Sequence, residues 1–113
     1  MATFTLRQLI DQAATKVGAL AAGQTLQVED LDAFTTFATA LIDQLAEDEI
    51  LTIADTDSIP AAWTPYLASL LANLAGPDYG VAFSTDAKAA NEAILRRLVR
   101  SKETFEAQQT NYF

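Results

Sequence analysis

Apolar residues return every three or four positions through four separate stretches of this chain. That period suits helices burying one face rather than strands, whose faces alternate at every second residue. The first stretch carries Leu6, Leu9, Ile10, Ala13, Ala14 and Val17. Thr5 opens it with Gln8 three residues on, the pairing of a capping box, and Gly18 closes it, which predicts a helix over 6–17. Residues 18–27 read as a connection. A second helix is expected over 28–48, with Glu29, Asp30 and Asp32 at the positive end of its dipole and Leu31, Phe34, Ala38, Leu41, Ile42 and Leu45 as its apolar face. The run Ile50 to Ile53 suits an extended segment, compatible with a stray β-pair but not a sheet, and leads into the acidic loop Asp55-Thr56-Asp57-Ser58. A third helix is expected over 60–75 with Pro60 or Pro65 near its start, Leu67, Leu70, Leu71 and Leu74 along it, and Gly76-Pro77 at its end. Ser84 then caps a fourth over 85–106, with Ala87, Ala90, Ile94, Leu98 and Phe105 on one side. The expectation is an all-α four-helix bundle: a helical domain over 1–107 and a short extended tail over 108–113. The last helix, about 33 Å long against about 25 Å for the third, is long enough to overhang the rest.

Length and composition agree with a single helical domain. At 113 residues, two independent cores would each be too small to stabilise themselves. With 4 Gly, 3 Pro and no segment dominated by β-branched residues, all-β classes have little support. Half the residues are hydrophobic, but 22 are Ala, which favours helix while burying little area, so the core is modest. The chain has neither Cys nor His. Disulfides, thiol nucleophiles, zinc sites of thiolate or imidazole, and the commonest neutral-pH acid-base group are excluded together. No apolar run approaches the roughly 20 residues that span a bilayer, and the N-terminus lacks a basic region followed by an apolar one, so a soluble, unexported chain is expected. A net charge of −8 opposes groove binding to nucleic acid, which depends on neutralising phosphates.

The common catalytic signatures are missing: there is no Gly-rich phosphate loop and no GxSxG elbow. Asp55-x-Asp57 has the start of a calcium loop, but Pro60 stands where that loop needs glycine and Tyr66 where it needs glutamate. Glu47, Asp48 and Glu49 are consecutive and, as helix neighbours, diverge into solvent rather than converge on an ion. Asp57-Ser58-Ile59 resembles the phosphopantetheine attachment triplet of acyl carrier proteins, which are also small, acidic and four-helical. That likeness implies Ser58 as an attachment site; the competing role of Ser58 is a helix N-cap, since Pro60 drives Ile59 away from helical geometry. A non-enzymatic protein without metal or cofactor is the expectation.

Charge is segregated. Between Val17 and Ala87 stand eleven acids and no Lys or Arg, whereas four of the seven bases are Arg96, Arg97, Arg100 and Lys102 on the last predicted helix. Arg96 and Arg100 can pair with Glu92 and Glu103 inside one subunit, each pair worth a few tenths of a kcal/mol. Alternatively they meet the acidic flank of a neighbour, and complementary patches repeated head to tail make rings or filaments. The terminal pair Tyr112 and Phe113 reads either as a disordered end or as an aromatic peptide that docks on a partner.

The order of features resembles the head-to-tail adaptors of tailed bacteriophages, of the packaged-DNA-stabilisation or tail accessory factor kind. The likeness runs through Leu9-Ile10-Asp11-Gln12-Ala13-Ala14-Thr15-Lys16-Val17-Gly18, then the acidic-start helix with Leu41, Ile42 and Leu45. It continues through Ile59-Pro60 into Leu67-Ala68-Ser69-Leu70-Leu71-Ala72-Asn73-Leu74-Ala75 and Gly76-Pro77-Asp78-Tyr79-Gly80, and ends in the Ala-rich helix from Ala87 to Arg97. The resemblance implies a ring, usually of twelve copies, in the virion neck beneath the portal protein, assembled in the host cytoplasm. Such a ring seals the DNA-filled head and presents a docking surface for a tail or next connector protein, with no membrane contact. By the same resemblance the portal or a neighbouring subunit contacts Arg96, Arg97, Arg100, Lys102, Phe105, Tyr112 and Phe113. Members often carry a longer C-terminal extension than this chain does. Glu47, Asp48, Glu49, Asp55 and Asp57 are candidates for the channel wall, where like charge keeps passing DNA from sticking, or else for the ring's outer face, where they only solubilise it.

Overall fold

The computed structural model describes residues 3–21 and 23–110, with side chains described as far as residue 100. Apart from one short strand pair, the regular structure among the described residues is all helical. It runs β1 (Thr3–Phe4), α1 (Leu6–Lys16), α2 (Val28–Glu47), β2 (Ile59–Pro60), α3 (Thr64–Ala75), a 3-10 turn over Gly76–Tyr79, and α4 (Thr85–Thr110).

The capping box starts α1. Thr5 Oγ1 accepts from the Gln8 N–H at 3.2 Å, and Gln8 Oε1 accepts from the Thr5 N–H at 2.8 Å, satisfying amides that the helix itself cannot. Leu9, Ile10, Ala13, Ala14 and Val17 are buried, and the chain leaves through Gly18 at φ 80, a left-handed step that costs glycine little. Helix α2 buries Phe34, Ala38, Leu41 and Leu45, with Leu31 and Ile42 half-buried at the margins of that face.

No strand forms at Ile50 to Ile53. Ile50 and Leu51 instead enter the core, and the strand pair joins Thr3 to Pro60 and Phe4 to Ile59, antiparallel. Pro60 therefore belongs to β2, and α3 begins four residues later, with Pro65 in its first turn. Two causes combine: proline holds the preceding residue extended, and the distant Phe4 pairs with Ile59, which is buried there rather than in a helical turn. Ser58 consequently caps no helix. It is exposed, and its N–H donates to the Asp55 carbonyl at 3.1 Å.

Helix α3 is the centre. It packs against α1, α2 and α4 and buries Leu67, Ala68, Leu70, Leu71, Ala72 and Ala75, which is why its sequence is apolar on more than one side. At its end Gly76 lies under Val81: a Cβ there would stand 3.0 Å from the Val81 carbonyl oxygen. That contact, with the Val81 N–H donating to the Gly76 carbonyl at 2.9 Å, turns the chain back towards α4.

Ser84 caps α4, its Oγ accepting from the Ala87 N–H at 3.1 Å. The helix packs mainly on α3, through Leu95, which is fully buried, and Val99. This differs from the expected stripe. Ile94 and Leu98 are only half-buried and Ala90 is exposed, because the docked line lies one residue on, about 100° around the helix. The helix also reaches Thr110, so 108–110 of the expected tail continue it. The side chains of Lys102 and Phe105, and all of Tyr112 and Phe113, lie outside the described residues.

Candidate assembly surfaces

All five candidate channel acids are exposed, but they sit at opposite electrostatic poles. The loop of Asp55 and Asp57 closes on itself, the Asp57 N–H donating to Asp55 Oδ1 at 2.9 Å. It rests on the start of α1, where the Leu6 N–H donates to the Thr56 carbonyl at 2.7 Å. The first turn of α1 carries no acid of its own, so these carboxylates complement the positive end of its dipole.

Glu47, Asp48 and Glu49 do the reverse. They stand at the negative end of the 20-residue α2, whose last turn has no basic residue. The chain leaves α2 by a Schellman turn: the Ile50 N–H donates to the Leu45 carbonyl at 3.0 Å and the Glu49 N–H to the Ala46 carbonyl at 3.1 Å. Glu49 holds the left-handed position of that turn at φ 58, where glycine is the usual occupant. Among the described residues no group of three carboxylates is arranged to hold a metal ion.

The bases divide in the same way. Arg7 pairs with Asp11 at 3.5 Å and Lys88 with Glu92 at 2.9 Å, and Lys16 sits in the last turn of α1, where a cation suits the dipole. Glu92 is thus committed to Lys88 rather than to Arg96. Arg96, Arg97 and Arg100 are exposed and make no ion pair among the described residues. Ahead of α4, Val81 and Phe83 leave 44% and 43% of their surface in water. No described helix is long and apolar enough to cross a membrane.

No protein-family model, curated protein or solved structure matches this chain. What its surfaces do must be read from the chain itself.

Two residues that position these surfaces, Tyr79 and Asn73, entered the sequence reading only within the passage that carries the resemblance, with no role assigned to either. Tyr79 stacks on Phe34 with ring centroids 5.4 Å apart and donates its hydroxyl to Asp30 Oδ1 at 2.9 Å, tying the 3-10 turn to α2. Its burial, then that hydrogen bond and the negative charges of Asp30 and Asp78, push the phenol up to about 12. Asn73 clasps the start of α4, its Nδ2 donating to the Ser84 carbonyl and its Oδ1 accepting from the Ser84 N–H, both at 2.8 Å. An asparagine among leucines and alanines in a helix was the one available signal for that clasp.

Proposed function

We propose that this chain is a non-enzymatic head-to-tail connector of a tailed phage. It forms a four-helix bundle with a long C-terminal helix, and its copies, twelve by resemblance, ring the underside of the portal. The passage from Ile59-Pro60 through Leu67 to Gly80 carries the reading, because it is the most specific part of the resemblance. A mostly helical chain whose Arg96, Arg97 and Arg100 make no ion pair among the described residues, with an acidic remainder, is consistent with a part that assembles rather than catalyses. In this reading the end carrying Arg96, Arg97, Arg100, Lys102, Phe105, Tyr112 and Phe113 meets the portal or a neighbour. Glu47, Asp48, Glu49, Asp55 and Asp57 face the channel, where they repel the phosphates of passing DNA.

Electron microscopy of the protein mixed with the portal of its own phage tests the reading. Ring density at the base of the portal is expected; a bare portal at saturating protein overturns it. Neutralising the five acids is expected to slow DNA ejection, and unchanged ejection removes them from the channel wall.

A further inference from the structure

We propose that α4 of one copy seats against α2 of a second copy, through two helical stripes of matched spacing and opposite charge. On α4, Ala89, Ala93, Arg96 and Arg100 are all exposed and fall at intervals of four, three and four. That spacing stacks them on one face over about 16 Å of helix axis. On α2, Thr36, Ala40, Asp43 and Glu47 are likewise all exposed, at the same intervals. Each stripe reads small, small, charged, charged in the direction of the chain.

Laid side by side and parallel, the stripes bring Ala89 and Ala93 against Thr36 and Ala40, where short side chains let the backbones approach. Arg96 then meets Asp43 and Arg100 meets Glu47. The antiparallel arrangement sets the arginines against alanine and threonine and leaves all four charges unpaired. Covering α2 in this way strands no hydroxyl, since Thr36 Oγ1 already donates to the Asp32 carbonyl at 3.0 Å. The stripes cannot satisfy one another within a copy: all eight residues are exposed, and no ion pair joins α2 to Arg96 or Arg100.

Complementary charge of this kind selects a second copy of this chain as the occupant. The contact is heterologous, so each copy keeps one free stripe of each sign and the pairing propagates. The proposal deepens the connector reading by naming the faces that join neighbours, and rests on it only for closure into a ring. It also moves Glu47 from the channel wall to the subunit boundary.

Sedimentation velocity of the whole chain at low ionic strength tests it, up to millimolar protein. The wild type is expected to self-associate and to dissociate as salt is added. R96E/R100E and D43K/E47K are each expected to associate more than about tenfold more weakly, and an equimolar mixture of the two to recover association, because every interface then again joins opposite charges. A93L, which changes bulk but not charge, is expected to weaken association too. All the substituted positions are exposed, so unchanged circular dichroism confirms that each variant folds.

A wild type that stays monomeric throughout overturns the proposal. So does a charge variant that associates like the wild type, or a mixture that fails to recover. The outcome is separable from that of the connector reading. Portal binding without this pattern sinks the stripes alone, whereas the pattern without portal binding sinks the connector and leaves the stripes standing.

Discussion

Glu49 shows most directly how a single residue can work against its own fold. A side chain in the left-handed region costs about 1–2 kcal/mol relative to an ordinary conformation, and its charge adds to the negative end of α2. Glu49→Gly is therefore expected to stabilise the subunit by about 0.5–1 kcal/mol, after allowing for glycine's larger entropy loss on folding. Urea unfolding measures this, and a loss of stability would show that the acid is held by contacts within the subunit. Tyr79 presents the opposite case, a polar group that the fold has fully used. Tyr79→Phe keeps the stack on Phe34 but strands the Asp30 acceptor, at a cost of about 1–2 kcal/mol. The phenol's folded pKa, about 12, lies above the ordinary 10.0. Its stabilising contribution is thus complete below pH 10 and lost as pH rises through 12. Wild type is expected to lose more stability than Tyr79→Phe across that interval; parallel curves in alkaline melts refute the linkage.

At the scale of elements, α4 depends on the side that α3 selects. Two apolar lines run along its sequence at four-residue spacing, Ile94 with Leu98 and Leu95 with Val99, and periodicity cannot choose between lines one residue apart. Leu95→Ala should cost about 2–4 kcal/mol, whereas Leu98→Ala should cost less than about 1 kcal/mol. Thermal unfolding of the two variants decides this, and equal losses would place the docking line between them. Helices α1 and α2 were legible at this scale because one face of each alone is apolar, and α3 because its apolar residues cover more than one side. The capping box of α1 and the serine cap of α4 were equally plain, since both consist of a side chain and an amide three residues apart. Pro60 misled for a physical reason: proline suits a helix start and the edge of a strand alike, and the choice was made by Phe4 and Ile59, fifty-five residues apart in sequence.

For the whole molecule, the governing fact is a net charge of −8, with no base among the eleven acids between Val17 and Ala87. Mutual repulsion across that surface opposes the compact state and is screened over about 10 Å at 0.1 M salt. The melting temperature of the isolated subunit is accordingly expected to rise as salt is raised from a few millimolar to about 0.15 M. A flat or falling curve would mean that the acids are compensated inside the fold. The same addition of salt is expected to dissociate assemblies joined by the arginines of α4. Salt should thus steady the part while loosening the whole, and the two effects are measured separately by calorimetry and sedimentation.

The sequence by itself determined the helical class, the position of most helix ends, the apolar faces of α1 and α2, and the separation of charge along the chain. Each of these follows from neighbours within a turn or two, or from a count of residues. Tertiary structure decided which side of α4 is buried, where the strand pair forms, and that Tyr79 and Asn73 fasten the 3-10 turn and α4 in place. It also decided that the stripes of α2 and α4 face solvent rather than each other. Those outcomes depend on which surfaces distant segments offer one another, and neither a residue's type nor its local spacing carries that information.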